Sequence, residues 1–90
     1  MDLKLTPLQT KILQVLVGKD GHSIAAYDIG IKIGAKTLAV TISLKTLPNK
    51  TSGAVSGFVP PGCDYREWFV YNDKIESVRT ILSSQHSRGV

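Results

Sequence analysis

The sequence predicts a small α+β domain in which three helices form the core, a β-hairpin follows them, and a last helix completes the chain. Three observations lead to this prediction: a capped apolar helix near the start, two helix patterns joined at a glycine, and two strand-like stretches around a Pro-Gly loop. Ninety residues are enough for one domain with a modest core, so we expect residues 1–90 to form a single unit.

The first helix is predicted from its opening residues. Thr6 suits the N-cap, Pro7 suits the first helical position, and Gln9 completes a capping box. The apolar face then recurs at helical spacing: Leu8, Ile12, Val15 and Leu16. We expect the helix to stop at Gly18 or Gly21, because glycine favours a helix end.

The region from about 24 to 47 fits two helices joined by a tight turn, without a gap. Ile29 and Ile33 lie one turn apart on the buried side of the first of these helices. Gly30 is small enough to let the next helix cross closely, and Gly34 accepts the left-handed conformation that ends a helix. The second helix has its own apolar stripe: Val40, Leu44 and Leu47. This is the pattern of a helix-turn-helix.

The same region also alternates with a period of two residues. The alternating apolar positions on the two sides of Gly34 are Ile29, Ile31, Ile33, Leu38, Val40, Ile42 and Leu44. That pattern alone would suit a β-hairpin. We favour helices because a capped helix lies upstream, a hairpin lies downstream, and the helical fit continues to Leu47, but the β-hairpin remains the alternative.

The second half of the chain predicts a connector, a hairpin and a helix. Residues 48–53 are rich in residues that break regular structure, so we expect a connector there. A hairpin is predicted over about 54–71, with its loop at 60–64. A last helix is predicted over about 73–84, with the apolar positions Ile75, Val78, Ile81 and Leu82. Residues 85–90 are polar and small, and we expect them to fray.

This order of elements resembles the winged-helix family of small DNA-binding domains. The resemblance rests on the Leu-Thr-Pro-x-Gln opening at residues 5–9, on the helix-turn-helix, and on a hairpin in the place of the wing, and it covers nearly the whole chain. Ser23 and Ile24 would supply the short first strand that many members carry. The resemblance implies a double-stranded DNA-binding protein that places helix 35–47 in the major groove. It also suggests a homodimer, formed through the first or last helix, that regulates transcription or serves replication or segregation.

The charge distribution agrees with a polyanionic partner. The formal net charge is +4. Residues 1–51 carry seven basic and three acidic side chains, whereas residues 52–90 carry four of each. The whole excess therefore lies in the part that holds the helix-turn-helix.

The resemblance also implies a set of DNA-contacting residues. The early exposed positions of helix 35–47 would face the base edges: Lys36, Thr37, Ala39 and Thr41. Phosphate contacts would come from Lys32, Lys45 and Lys50. In the wing, Arg66 is the candidate, although Asp64 and Glu67 flank it and weaken its attraction for phosphate.

Three aliphatic residues depart from the family pattern and support an alternative. Ile31, Leu38 and Ile42 occupy positions that the helices would expose, where family members usually carry polar or basic residues. The alternative is a winged-helix module that binds another protein through them. A weaker alternative is single-stranded DNA or RNA binding through Trp68 and its aromatic neighbours.

Catalytic, metal and membrane functions find no support in the sequence. His22, His86 and Cys63 are isolated, and no nucleophile motif or phosphate-binding glycine loop is present, so we expect neither an enzyme nor a metal or other cofactor. No apolar run approaches the roughly 18 residues of a membrane-spanning helix, and the start of the chain lacks the features of a signal peptide. A lone cysteine suits a reducing compartment. We therefore expect a cytoplasmic protein without a membrane partner, associated with the nucleoid if it binds DNA.

Overall fold

The structure is a computed structural model that describes residues 5–18 and 22–88, with side chains up to residue 84. Four helices, three strands and one 3-10 turn follow in this order: α1 (Pro7–Gly18), β1 (Ile24–Ala25), α2 (Ala26–Ile33), α3 (Thr37–Lys50), β2 (Val55–Phe58), β3 (Glu67–Val70), the 3-10 turn (Asn72–Lys74) and α4 (Ile75–Arg88). The strands form one antiparallel sheet in the order β1-β3-β2. The predicted α+β architecture is confirmed.

The start of α1 has the predicted capping box. The backbone N–H of Gln9 donates to Thr6 Oγ1, and the backbone N–H of Thr6 donates to Gln9 Oε1, both at 3.1 Å. Two of the donors that a helix start leaves free are thereby satisfied. The helix ends at Gly18, and Gly21 lies outside the described residues.

The middle of the chain forms two helices, so the alternative β-hairpin is wrong. In a hairpin, Ile29 and Ile31 would share one face of the sheet and similar burial. Instead, Ile29 is fully buried and Ile31 is 64% exposed. The apolar stripe of α3 is confirmed as well, because Val40, Leu44 and Leu47 are fully buried.

The third helix runs farther than predicted. The sequence placed a connector at 48–53, but α3 continues through Pro48 to Lys50. Proline lacks an N–H, so the Leu44 carbonyl receives no helical hydrogen bond from position 48. The last turn is closed instead by Thr51, whose N–H and hydroxyl both donate to the Leu47 carbonyl at 2.9 and 2.8 Å. The N–H of Gly53 donates to the Pro48 carbonyl at 2.8 Å.

The strands and the last helix also differ from the prediction in their limits. Strand β1 is Ile24–Ala25, one residue later than expected, and it pairs with β3 beside Trp68. The β2–β3 hairpin, called the wing below, has its loop at 59–66. The helix α4 extends to Arg88, where the sequence predicted fraying, and residues 89–90 lie outside the described part.

The core lies between α1, α2, α3 and the sheet, and α4 packs against α1. Its fully buried members include Ile12, Leu13 and Leu16 from α1, Ile29 from α2, Val70 from β3 and Val78 from α4, together with the three residues of the α3 stripe. This packing leaves the opposite side of α3 free to face solvent. None of the helices in the described ranges has both the length and the apolarity needed to cross a bilayer.

Candidate nucleic-acid interface

Two glycines set the angle between α2 and α3. Gly34 ends α2 with φ 73° and ψ 34°, which is left-handed backbone that glycine adopts at little cost. The N–H groups of Gly34 and Ala35 both donate to the Gly30 carbonyl. A Cβ at Gly30 would lie 2.6 Å from the Ala35 carbonyl oxygen, so only glycine permits this close turn. The predicted roles of both glycines are confirmed.

A buried glutamine anchors α3 to α1. Gln9 is 2% exposed, and its Nε2 donates to Thr46 Oγ1 at 2.6 Å and to the Ser43 carbonyl at 3.2 Å. Its Oε1 accepts a hydrogen bond from Lys50 Nζ at 2.9 Å, in addition to the capping bond from Thr6. One flank of α3 is therefore fixed against α1, and DNA would have to approach from the other sides.

The side of α3 opposite the core carries a mixed surface, here called the outer face. It consists of four exposed residues at spacings of four, three and four: Leu38, Ile42, Lys45 and Asn49. Leu38 is 71% exposed and Ile42 is 58% exposed. The predicted exposure of these aliphatic side chains is confirmed, as it is for Ile31.

A groove of about 790 Å³ separates α3 from the wing. Along the helix it is lined by Thr37, Thr41 and Lys45, and along the wing by Tyr65, Arg66 and Trp68. The first turn of α2 forms its end, with Tyr27 and Asp28. This wing groove brings hydroxyl groups, aromatic rings and two cations together beside the outer face of α3.

The wing side of the groove is shaped by Gly57. The guanidinium of Arg66 lies 5.6 Å from the ring centroid of Trp68, a cation–π distance. A Cβ at Gly57 would lie 2.9 Å from Arg66 Cδ and from Trp68 Cε3, so the missing side chain makes room for this pair. Trp68 itself is 8% exposed. A ring this buried offers almost no face to a base, which argues against single-stranded binding through Trp68.

The phenol of Tyr65 stays protonated in this setting. A hydrogen bond with Cys63 and the charges of Cys63, Glu67 and Asp28 raise the pKa of Tyr65 above its ordinary value of 10.0. This hydroxyl, hydrogen-bonded to Cys63, is one of the polar groups that line the groove.

Solved protein structures share this arrangement of a helix-turn-helix and a wing. A mutant of Lactococcus lactis ZitR superposes with a TM-score of 0.68 at 20% identity, over 99% of this chain and 57% of that one. The adhesin competence repressor AdcR from Streptococcus pyogenes gives a TM-score of 0.70 at 20% identity, over 99% and 59%. The chain has the winged-helix fold.

A third winged helix of this kind has been solved with DNA. MepR from S. aureus, in its complex with DNA, superposes with a TM-score of 0.68 at 19% identity, over 90% of this chain and 64% of that one. The chain thus spans about three fifths of the length of these proteins. No protein-family profile matches the sequence, and no curated protein is detectably similar to it.

This winged helix gathers only some of the residues that the sequence singled out. Thr37, Thr41, Lys45 and Arg66 all line the wing groove. Lys36 is the N-cap residue of α3, and its side chain is exposed. Lys32 is exposed in a separate depression beside Ile31 and Glu67.

Two of the predicted DNA contacts, Ala39 and Lys50, do not line the wing groove. Ala39 is exposed on the flank that also carries Ser43 and Thr46, which face α1. Lys50 is half-buried, and its ammonium donates to Gln9. The contact of Lys50 with Gln9 and the location of the groove both depend on how the helices pack, which the sequence alone does not reveal.

Sequence reasoning also missed groove residues. Tyr27 and Asp28 lie in the first turn of α2, and Tyr65 lies near the end of the wing loop, so the three come together only through the fold. The exposure of the two tyrosines is the only signal that would have indicated them, and it is not visible in the sequence. In the described ranges, no three His, Cys, Asp or Glu side chains converge as metal ligands do.

Proposed function

We propose that this chain is a non-catalytic protein that binds double-stranded DNA and regulates transcription. The helix α3 enters the major groove by its outer face, and the wing contacts the neighbouring backbone. The observation that carries this proposal is the wing groove, where Lys45 on α3 and Arg66 on the wing lie on two sides of one surface. A repressor and a DNA complex among proteins of the same fold support it. A role in replication or segregation would use the same surface.

The contacts divide into two kinds. We assign Lys36, Lys45 and Arg66 to phosphates, and Lys36 moves to this set from the base edges because it lies at the N-cap of α3. Lys32 lies beside Glu67 in the second depression, outside this set of three. Thr41 donates its hydroxyl proton to the Thr37 carbonyl at 2.9 Å. Toward a base it therefore offers hydroxyl lone pairs and a methyl group rather than a donor.

Charge reversal on α3 tests the proposal. We expect Lys36→Glu with Lys45→Glu to weaken binding to a fluorescein-labelled random-sequence duplex by well over tenfold, measured by fluorescence anisotropy at low salt. The matched control is Lys11→Glu with Lys74→Glu, which changes the net charge equally at exposed positions outside α3 and the groove. Undiminished affinity in the α3 variant, or equal losses in both, would contradict the proposal.

Dimerisation is a separate part of the proposal. A homodimer would bind two half-sites one helical turn apart. The apolar side chains of α1 and of the described part of α4 pack into or against the core, so contact through these helices would use their outer polar faces. Light scattering tests this directly, since a dimer has twice the monomer mass of 9.8 kDa.

The protein-docking alternative relies on the exposure of Ile31, Leu38 and Ile42. These residues lie on two helices, Ile31 on α2 and the other two on α3. Ile31 lies by the depression near β1 and Glu67, whereas Leu38 and Ile42 lie on the outer face of α3. DNA binding accounts for the outer face without a second partner, and we favour it.

A further inference from the structure

The outer face of α3 presents an aliphatic pair where a DNA-reading helix meets the bases. The core stripe of α3 lies on one side, and the Gln9 contacts occupy the flank toward α1. Leu38 and Ile42, one turn apart, point away from both. If α3 enters the major groove, these two side chains are the first to reach the base edges.

The charges around the pair identify the kind of partner. Lys36 precedes Leu38 by two residues, and Lys45 follows Ile42 by three, so cations bracket the aliphatic pair along the helix. Both lysines are exposed. A complementary partner therefore carries negative charges opposite the two lysines and apolar groups opposite Leu38 and Ile42.

The major groove of DNA has one apolar feature, the C5-methyl group of thymine. The other groups that distinguish the bases there are hydrogen-bond donors and acceptors, and covering them with leucine or isoleucine would remove their bound water without supplying a hydrogen bond. We propose that Leu38 and Ile42 are specificity-determining residues that contact thymine methyl groups. This inference rests on the proposed DNA binding and adds a preference for duplexes with thymines in the major groove facing α3.

Replacing thymine by uracil in a DNA duplex tests the inference, because uracil lacks only the C5-methyl group. The probes are two labelled 20-base-pair duplexes of alternating A·T sequence, one with thymine and one with uracil. We expect wild-type protein to bind the uracil duplex about four- to fifteenfold more weakly, the effect of one or two buried methyl groups. A G·C duplex should gain affinity when its cytosines carry a 5-methyl group.

Substitutions assign the effect to the aliphatic pair. In Leu38→Gln with Ile42→Gln, the thymine-to-uracil affinity ratio should fall to about 1, while both helix propensity and folding are retained because the residues are exposed. The ratio is taken within each variant, so a new glutamine contact to adenine cancels. The control is Ile31→Gln, an exposed aliphatic residue away from this face, which should keep the wild-type ratio.

The outcomes are distinguishable. Equal wild-type affinity for the thymine and uracil duplexes, or an unchanged ratio in the double variant, would overturn the inference and leave the DNA-binding proposal standing. The aliphatic pair would then belong to a protein-docking surface. Failure to bind any duplex would overturn both.

Discussion

Among the individual residues, Gln9 joins the start of α1 to the second half of α3 through its side-chain amide. Its four hydrogen bonds reach Thr6, Ser43, Thr46 and Lys50. Few other side chains can donate twice and accept twice in one buried position. The amide therefore fixes the position of α3 along α1, and with it the position of the outer face relative to the core.

We expect Gln9→Met to lower the free energy of unfolding by about 1–3 kcal/mol, because the new side chain has similar length but cannot form the four hydrogen bonds of the amide, one of which belongs to the capping box. Urea denaturation measures this difference. The matched control is Gln14→Met on the exposed side of the same helix, which should change stability by less than about 0.5 kcal/mol. A Gln9 variant as stable as its control would show that the amide network contributes nothing.

Two nearby glycines, Gly34 and Gly30, are required for different reasons. At Gly34 the φ of 73° restricts the residue type, but a Cβ there would meet nothing within 4 Å. At Gly30 the backbone is ordinary helix, and the restriction is the Ala35 carbonyl at 2.6 Å from a Cβ. One glycine provides a conformation and the other provides space, and the helix-turn-helix needs both.

Among the elements, the wing depends on Gly57 for the packing of its two strands. This residue pairs with Trp68 across β2 and β3, and its bare backbone leaves room for the ring and for the stem of Arg66. The strand thereby holds Arg66 at the edge of the wing groove, where a longer residue at position 57 would displace it.

We expect Gly57→Val to shift the emission maximum of Trp68, the single tryptophan, toward longer wavelength as the ring is pushed into water. Duplex affinity should fall at least threefold as Arg66 moves. The control is Ser56→Val, on the neighbouring position opposite Phe69 and hence on the other face of the hairpin. Unchanged tryptophan emission in the Gly57 variant would mean that the sheet absorbs the extra side chain elsewhere.

The elements also show how much the sequence could predict. The capping box at Thr6, the left-handed turn at Gly34 and the buried stripe of α3 were all predictable, because each depends on residues within a few positions of one another. The continuation of α3 through Pro48 was not, since it depends on Thr51 closing the helix end in a buried site. Interactions between neighbouring residues therefore predict which elements form, whereas tertiary packing determines where they end.

The candidate site was less predictable than the fold. Lys50 and Lys45 look alike in the sequence, yet Lys50 donates to Gln9, 41 positions away, while Lys45 lines the wing groove. The groove itself joins α2, α3 and the wing loop. No single stretch of sequence encodes it, so a prediction from helix positions alone could not separate the lysines.

In the molecule as a whole, the excess of positive charge lies in the same part of the winged helix as α2 and α3. The net charge of +4 arises in residues 1–51, which include α2 and α3. Asp28 at the end of the wing groove reduces the local positive potential. A molecule with this arrangement should bind DNA through a few phosphate contacts and depend strongly on salt.

That expectation is quantitative. Three phosphate contacts, from Lys36, Lys45 and Arg66, predict a slope of about −2.7 for log affinity against log salt concentration, or a roughly 40-fold loss between 50 and 200 mM. Anisotropy titrations of the random-sequence duplex across this range measure the slope. The double reversal at Lys36 and Lys45 should leave a slope near −1, whereas the reversal at Lys11 and Lys74 should leave it near the wild-type value. If both variants lose slope equally, net charge rather than the α3 surface governs binding, and the wing groove is not the DNA contact.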